Sequence, residues 1–454
     1  MASGELASTA PVGLGWLAVR IGERTARGIA GAMSGLIRGG EVPPGTRLPT
    51  VRALAAELSV SPTTIAEAWA QLRAAGLIGT GRRRGTTVLA PPAGLGPARM
   101  FPGWQSVDLE HGLPDPALLP PLEDAVAAGV RSAQRPAAKE AISPRLRAAV
   151  RSAWPFPAEE WTVAASGHEG VALACRALAR PGDVVAVEEP TAPWLLRHLR
   201  AARIHVTGVA CDAAGPRPES LAAALAHRPV AFVYQPRAQN PLGHTVSADR
   251  VTELAAVLAP ADTAVIEADD FGPLAARPGA SLGPHLPGRV LLVRSYCTAF
   301  GPELRSCVLG GAAALVERVR AQRAFGVAWS SRALQDTQAF LLTDPATDAL
   351  VQRARLRYAT RRTALATALR DHGLTAGLGD GLTLWVPVPD ETRTLVTLAA
   401  HGVSVGGGSR CFPTRPSPPH LRIAVGQLPD DPAPVADLAG MIARAAHVRV
   451  RRTA

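Results

Sequence analysis

From about residue 107 onward, short apolar segments rich in β-branched residues alternate with longer segments rich in alanine, leucine and arginine. The apolar segments cover residues 184–187, 230–234, 264–266 and 290–293, and each is apolar at consecutive positions rather than at every second one. Strands with this pattern are buried on both faces, as in a parallel sheet covered by helices. The alternation therefore predicts an α/β doubly wound architecture for this part of the chain.

Length and charge leave several classes of protein open. A chain of 454 residues is long enough for more than one domain, and 47% hydrophobic with 19% charged residues is typical of a globular protein. The net charge is +11, and the first 92 residues contain ten arginines against five acidic residues. This excess is compatible with a nucleic-acid partner but does not identify one.

The cysteines and the hydropathy pattern point to a reducing compartment. Five cysteines are widely spaced and form no CxxC pair, so we predict reduced thiols and no metal site. We find no apolar run long enough for a membrane span and no signal pattern at the first residues. The expectation is a cytoplasmic protein that does not associate with a membrane.

The first hundred residues contain a pattern of two helices followed by a basic hairpin. Residues 43–58 form a loop and then a helix, for which Thr50 is a suitable N-cap. A second helix opens at Pro62 and has apolar residues with helical spacing. The segment 79–85 is a glycine-flanked run of arginines between two predicted strands. A second helix in the major groove and a basic wing on phosphates is a DNA-docking arrangement.

The order Pro-Pro-Gly-Thr-Arg-Leu-Pro-Thr-Val-Arg-Ala-Leu-Ala at 43–55 closely resembles the winged helix of the GntR regulators. One departure is Pro62, which stands where that family often has an arginine. The resemblance implies binding of an operator in double-stranded DNA. The DNA contacts that it implies are Arg47, Arg52, Thr63, Thr64, Arg82, Arg83 and Arg84.

These patterns divide the chain into a winged helix-turn-helix domain at 13–90, a linker rich in proline and glycine at 91–106, and an α/β domain at 107–446. The last of these resembles the aminotransferase-like domain (fold-type I, pyridoxal phosphate) of the MocR subgroup of GntR regulators. Landmarks of that subgroup occur in order, from Gly-Leu-Pro-Asp at 112–115 to Leu-Arg-Ile at 421–423. The resemblance also implies a head-to-tail homodimer, with one partner's winged helix over the other's large domain.

The same resemblance assigns a cofactor pocket. Ser-Gly-His-Glu at 166–169 is similar to the family's phosphate loop, and amide groups at a helix start suit a phosphate. Asp269 corresponds to the carboxylate that pairs with the pyridinium nitrogen, and Arg422 to the arginine that binds an effector carboxylate. The cofactor-binding residues implied in this way are Ser166, Gly167, His168, Asn240, Asp269, Ser295 and Arg305.

Thr298 stands where that family has the lysine that binds the cofactor covalently. Phe271 and Ala192 occupy positions where the family has a tyrosine and a stacking aromatic ring, and Cys297 occupies a slot for a small hydroxyl residue. Lys139 is the only lysine in the chain and is distant in sequence. We therefore expect no catalytic residue at this site, and pyridoxal 5'-phosphate only as a non-covalent ligand or not at all.

Two classes of function follow. The first is a transcriptional regulator whose degenerate pocket binds the cofactor or its amino-acid adduct, another anionic or amino-acid-like effector, or no ligand. The alternative is a pyridoxal-phosphate-dependent aminotransferase or lyase that retains activity. In such enzymes the lysine is both the covalent anchor and the base that moves the Cα proton, so its loss argues for the regulator.

Overall fold

The computed structural model describes residues 13–38, 41–43, 45–74, 77–81, 85–89, 107–134, 140–324, 330–414 and 417–447. The predicted linker at 91–106, the wing arginines at 82–84 and Lys139 lie outside the described residues. None of the described helices is both long enough and apolar enough to cross a membrane.

The N-terminal module consists of four helices and a hairpin in its described part. The helices are α1 (Leu14–Arg20), α2 (Ala26–Arg38), α3 (Val51–Leu58) and α4 (Pro62–Ala74), and the antiparallel strands are β1 (Ile78–Gly81) and β2 (Gly85–Val88). Thr50 caps α3 as predicted, because its hydroxyl accepts a hydrogen bond from the Ala53 amide. Ser61 caps α4 in the same way through the Thr64 amide.

The predicted buried face of α4 is confirmed. Ile65, Ala68, Trp69 and Leu72 are at most 1% exposed and share one core with residues of α2, including Ile29. Thr63 and Glu67 lie on the opposite, exposed face. The apolar spacing therefore fixes α4 on α2 and leaves the polar face of the second helix outward.

The α/β domain is built on two sheets. Its strands are β3 (Val107–Leu109), β4 (Glu160–Ala164), β5 (Val184–Glu189), β6 (His205–Asp212), β7 (Gly215–Pro216), β8 (Ala231–Tyr234), β9 (Ala264–Asp269), β10 (Val290–Ser295), β11 (Cys307–Gly311), β12 (Thr383–Pro387), β13 (Val403–Gly407) and β14 (His420–Ala424). Its helices are α5 (Glu123–Ala133), α6 (Pro144–Arg151), α7 (Gly167–Leu178), α8 (Pro193–Ala201), α9 (Pro218–Leu225), α10 (Ala248–Leu258), α11 (Cys297–Phe300), α12 (Ala313–Ala324), α13 (Arg332–Thr343), α14 (Pro345–Asp371), α15 (Glu391–Ala400) and α16 (Pro432–His447).

The larger sheet has the strand order β4-β11-β10-β9-β8-β5-β6-β7. The four segments predicted to be buried strands are β5, β8, β9 and β10, and these pair in parallel. Strands β11, β4 and β7 are antiparallel to their neighbours. The doubly wound prediction is thus confirmed for the centre of the sheet, whose strands direct their carboxyl ends to one edge.

The smaller sheet has the order β12-β14-β13-β3 and forms a second core with α15 and α16. Helix α14 joins this small subdomain to the large one. Val351, Ala354 and Tyr358 belong to the core of the large subdomain, whereas Leu365 and Leu369 belong to that of the small one. One continuous helix therefore contributes side chains to both cores.

The N-terminal module packs on the small subdomain of its own chain. Helix α2 lies against α15, and Ala400 packs against the core of the module. The head-to-tail dimer that the resemblance implies concerns a partner chain, so it stays a prediction beside this contact within one chain.

Candidate functional site

A cleft of about 720 Å³ lies beside the carboxyl ends of the central strands. Its walls come from three parts of the chain. The large subdomain contributes Asn240 and Asp270, the small subdomain contributes Arg422, and the N-terminal module contributes Glu23 and Arg27. A ligand in this cleft would therefore lie within reach of all three parts.

The start of α7 forms one end of this region. Ser166 is the N-cap of the helix, and its hydroxyl accepts the Glu169 amide at 3.1 Å. A Cβ at Gly167 would lie 2.7 Å from Oδ1 of Asp270, so only glycine allows this approach. Of the residues predicted in this loop, His168 lines the cleft, while Ser166 and Gly167 do not. The predicted phosphate loop is present as a helix start, with its histidine facing the cleft.

The two aspartates at the end of β9 face different surroundings. The Asp269 carboxylate is fully buried and forms a bidentate pair with Arg237, at 3.0 and 2.7 Å. Arg294 donates a further hydrogen bond to it at 2.7 Å. It is Asp270, not Asp269, that lines the cleft. The assignment of Asp269 to the cleft is thus wrong, because successive residues at a strand end point to opposite faces.

The pKa values of these carboxyls follow from their partners. Burial alone would raise the pKa of Asp269, but the charges of Arg237 and Arg294 outweigh it and hold the pKa below its usual value. Burial raises the pKa of Asp270, and only the nearby His168 opposes this shift. The Asp270 carboxylate thus faces the cleft without an arginine partner among the described residues, so a cationic or N–H group of a ligand would suit it.

The structure does not bring Ser295 and Arg305 to the cleft wall. Ser295 is buried, and its hydroxyl accepts the Cys297 amide at 3.4 Å. Arg305 is exposed, with a backbone φ of 48°. Its side chain therefore contributes positive charge at the surface rather than to the lining of the cleft. The seven-residue spacing from Thr298 to Arg305 could not reveal this direction.

Thr298 and Phe271 both line the cleft. The Thr298 hydroxyl donates to the carbonyl oxygen of Asp270 at 3.4 Å, which directs it toward the end of β9. Ala192 is buried outside the lining, but Trp194 lines the cleft and stacks on His168 with ring centroids 4.1 Å apart. Sequence reasoning missed Trp194. Pro193 at the start of α8 is the signal that places Trp194 in the first helical turn.

Within the part of the chain that the structure describes, two polar atoms of the cleft wall are buried without a hydrogen-bond partner. These atoms are Oδ1 of Asn240 and Nε of Arg422. The other end of the Arg422 guanidinium donates to the carbonyl of Glu110 at 2.7 Å. Buried polar groups are normally paired, so both atoms indicate a ligand with polar groups at these two points. They fit a pyridoxal-type ring near Asn240 and a carboxylate near Arg422.

The cleft is rich in positive charge. Arg197 and Arg200 lie one helical turn apart on α8, line the cleft and are exposed. Arg410 also lines it and pairs with Glu110 at 3.1 Å. Arg27 and Arg422 add two further guanidinium groups to the lining. The cleft therefore favours an anionic ligand.

Outside the lining of the cleft, Glu188, Cys211 and His244 bring possible metal-ligand atoms within 4.8 Å of one another. The sequence spacing predicted no such cluster, because the three residues come from separate segments. The buried Glu188 carboxylate also accepts hydrogen bonds from the Gln235 amide and from His244. Burial and the charge of Glu188 raise the pKa of Cys211 far above its usual value, so this thiol stays protonated.

The predicted DNA contacts that the structure describes lie at the surface of the N-terminal module. Thr63 is exposed at the start of α4, and Thr64 is half-buried with its hydroxyl 2.8 Å from that of Ser61. Arg47 and Arg52 are exposed, and the Arg47 guanidinium lies over Gly85 at the base of the wing. The remaining predicted contacts at 82–84 lie outside the described residues. The described contacts place side chains of the helix and of the wing base at the surface.

Comparison with known proteins decides the family. Residues 25–88 match the profile of the gntR family of bacterial regulatory proteins, and residues 123–432 match that of aminotransferase class I and II. The vitamin B6 salvage pathway transcriptional repressor PtsJ of Salmonella typhimurium is 33% identical over 84% of this chain and 90% of its own length. The chain belongs to the MocR-type regulators of the GntR family.

Further relatives agree with this placement. The transcriptional regulator TauR of Rhodobacter capsulatus is 29% identical over 96% of this chain and 98% of its own. A kynurenine aminotransferase of Pyrococcus horikoshii superposes with a TM-score of 0.66 at 20% identity, over 76% of this chain and 92% of that one. An aspartate aminotransferase of Thermus thermophilus superposes with a TM-score of 0.65 at 22% sequence identity, over 75% of this chain and 91% of that one. This MocR-type chain is therefore a DNA-binding transcriptional regulator with an aminotransferase-like fold.

Proposed function

We propose that the aminotransferase-like domain of this regulator has lost covalent cofactor chemistry and senses an anionic effector that binds without a covalent bond. The observation that carries the proposal is Thr298 on the wall of the cleft, beside Asp270 and Phe271. A hydroxyl group cannot replace the amine that the family uses to attach its cofactor. Among the described residues, none that lines the cleft is a lysine.

Pyridoxal 5'-phosphate is the effector that we test first. When bound, it would supply a planar pyridine ring, an aldehyde and a phosphate. Asn240 and Asp270 would meet polar atoms of the ring, and the stacked pair of His168 and Trp194 would cover it. Arg422 would bind the carboxylate of an amino-acid adduct or of another anionic metabolite. The name of PtsJ, which connects that relative with vitamin B6 salvage, supports this choice.

The decisive experiment mixes the purified protein with pyridoxal 5'-phosphate and then adds borohydride. We expect a saturable change in absorbance that dialysis reverses, and no mass increase after borohydride. A mass increase on the intact chain would contradict the proposal, and its loss in the K139R variant would identify Lys139 as the attachment point. Transfer of an amino group to a keto acid would instead support the enzyme hypothesis.

As a regulator, the protein should act as a homodimer on a paired-half-site operator, in the cytoplasm where that DNA lies. Replacing the wing residues Arg82, Arg83 and Arg84 with alanine should lower DNA affinity at least tenfold at moderate salt and reduce the salt dependence of binding, since phosphate contacts release counterions. An electrophoretic shift or anisotropy titration measures both. Unchanged affinity would contradict the assignment of the wing to DNA.

A further inference from the structure

Arg27 connects the DNA-binding module with the cleft. It lies in the first turn of α2 and lines the cleft together with Glu23. Its Nη1 donates to the Ser409 hydroxyl at 3.0 Å and lies 3.4 Å from Oε1 of Glu391. Both partners belong to the small subdomain. The guanidinium therefore crosses from one domain to the other at the edge of the ligand cleft.

Glu391 holds the opposite side of this junction. It is the first residue of α15, is 5% exposed, and accepts hydrogen bonds from the amide and the hydroxyl of Ser409 at 2.8 and 2.6 Å. A Cβ at Gly407, which lines the cleft, would lie 2.6 Å from Glu391 Oε1. One buried carboxylate thus supports the cleft wall and pairs with the DNA-binding module.

The Arg27 guanidinium has donors to spare. Its contacts with described residues use Nη1 alone, and 27% of the side chain is exposed. A guanidinium offers five N–H groups in a planar fork that matches a carboxylate or a phosphate. Glu23 is the acidic group that faces the cleft from the same module, and its carboxylate accepts the Thr25 hydroxyl at 2.9 Å. An anion can therefore bind the free edge of Arg27 while Nη1 keeps its partners.

Movement of Arg27 would be transmitted to the second helix of the winged helix. Ile29 and Met33 on α2 are fully buried in the core that also contains Ile65 and Trp69 of α4. Close-packed helices of this kind move together rather than independently. A ligand that holds α2 against the small subdomain also holds α4.

We propose that Arg27 is an effector-binding residue that the DNA-binding module supplies to the cleft, so that an anionic effector bridges the two domains and stabilises their docked arrangement. The proposal rests on the proposed function only in using the same cleft. It names the regulatory contact of that site, and by linkage any change in DNA affinity on effector binding must be matched by an equal change in effector affinity on DNA binding.

The test compares R27A with R24A. Arg24 is exposed on the same module and does not line the cleft, so both variants lose one positive charge from the DNA-binding module. Affinity is measured by calorimetry for two probes, pyridoxal 5'-phosphate and inorganic phosphate. Hydrogen exchange of α2 amides is measured with and without each probe. We expect R27A to bind about tenfold more weakly than wild type, and its α2 amides to lose the protection that the probe confers. R24A should behave as wild type.

R27K keeps the charge beside Glu391 but lacks the fork of donors, so it serves if R27A folds poorly. It should lose part of the affinity without a change in melting temperature. If pyridoxal 5'-phosphate binds wild type, R27A and R27K equally, the inference is overturned and the proposed function stands. If wild type binds inorganic phosphate but not pyridoxal 5'-phosphate, and R27A weakens the binding of phosphate, pyridoxal 5'-phosphate is not the effector and the inference stands. If neither probe binds wild type, the inference fails as well.

Discussion

Two neighbouring carboxylates, Asp269 and Asp270 at the end of β9, differ in the groups that surround them. On one face of the central sheet, Asp269 is held by two arginines, Arg237 and Arg294, and has no exposed surface. On the other face, Asp270 lines the cleft beside His168. The first carboxylate is part of a structural ion pair, whereas the second has room for a ligand. Neighbouring residues of the same type can thus serve stability and binding separately.

The largest expected effect concerns Asp269, the carboxylate that two arginines hold. D269N leaves Arg237 and Arg294 without a carboxylate in surroundings where their side chains are 13% and 9% exposed. Removing one partner of a buried pair costs about 3–5 kcal/mol, so the free energy of unfolding should fall by that amount. Chemical denaturation measures it.

The matched control is D212N, which breaks the pair of Asp212 with Arg250. Asp212 is 43% exposed, and such a pair contributes about 1 kcal/mol or less. Equal losses in D269N and D212N would show that Asp269 is not the structural carboxylate that its contacts indicate.

The next effect concerns Asp270, the carboxylate that lines the cleft. D270N should leave the melting temperature unchanged or raise it, because burial already disfavours the charged carboxylate. Binding of pyridoxal 5'-phosphate should weaken about tenfold, since a hydrogen bond to a charged group is lost. Calorimetry measures the affinity, with D249N on the exposed start of α10 as a control. If D270N lowered the melting temperature and left the affinity for pyridoxal 5'-phosphate unchanged, Asp270 would have a structural role rather than a role in binding.

The smallest effect is an opposite pH dependence of the two variants. The folded pKa of Asp269 is lowered, so its stabilisation is present above the unfolded value of about 3.9 and is lost as pH falls through the folded pKa. The stability difference between wild type and D269N should therefore shrink only below about pH 4.

The folded pKa of Asp270 is raised, so its ionised form destabilises the protein at neutral pH. Wild type should gain stability relative to D270N as the pH falls toward about 4. Melting temperatures from pH 7 to pH 3 measure both slopes. Slopes of the same sign would contradict the assignment of the pKa shifts.

Much of the fold was predictable because its signals are local. The N-cap Thr50 and the buried face of α4 follow from residue type and spacing, and so do the four central parallel strands. The cleft was less predictable. A motif could identify the pair Asp269 and Asp270, but only the strand's orientation tells which of them faces the cleft.

Residues that come together from distant segments left no local signal. Arg237 reaches Asp269 from the loop after β8, and Arg27 reaches Glu391 across 364 positions. Trp194 brings an aromatic ring to the cleft two positions after Ala192, and its stacking on His168 is visible only in the folded chain. Tertiary packing, rather than periodicity, decides these contacts.

Helix α14 has a consequence for how the domain unfolds. It has 27 residues, which makes it about 40 Å long. Its side chains are part of the cores of both subdomains. Because helix propagation is cooperative, fraying of its centre would expose apolar surface in both cores at once. The two subdomains should therefore lose their amide protection together, as one cooperative unit, rather than in separate transitions.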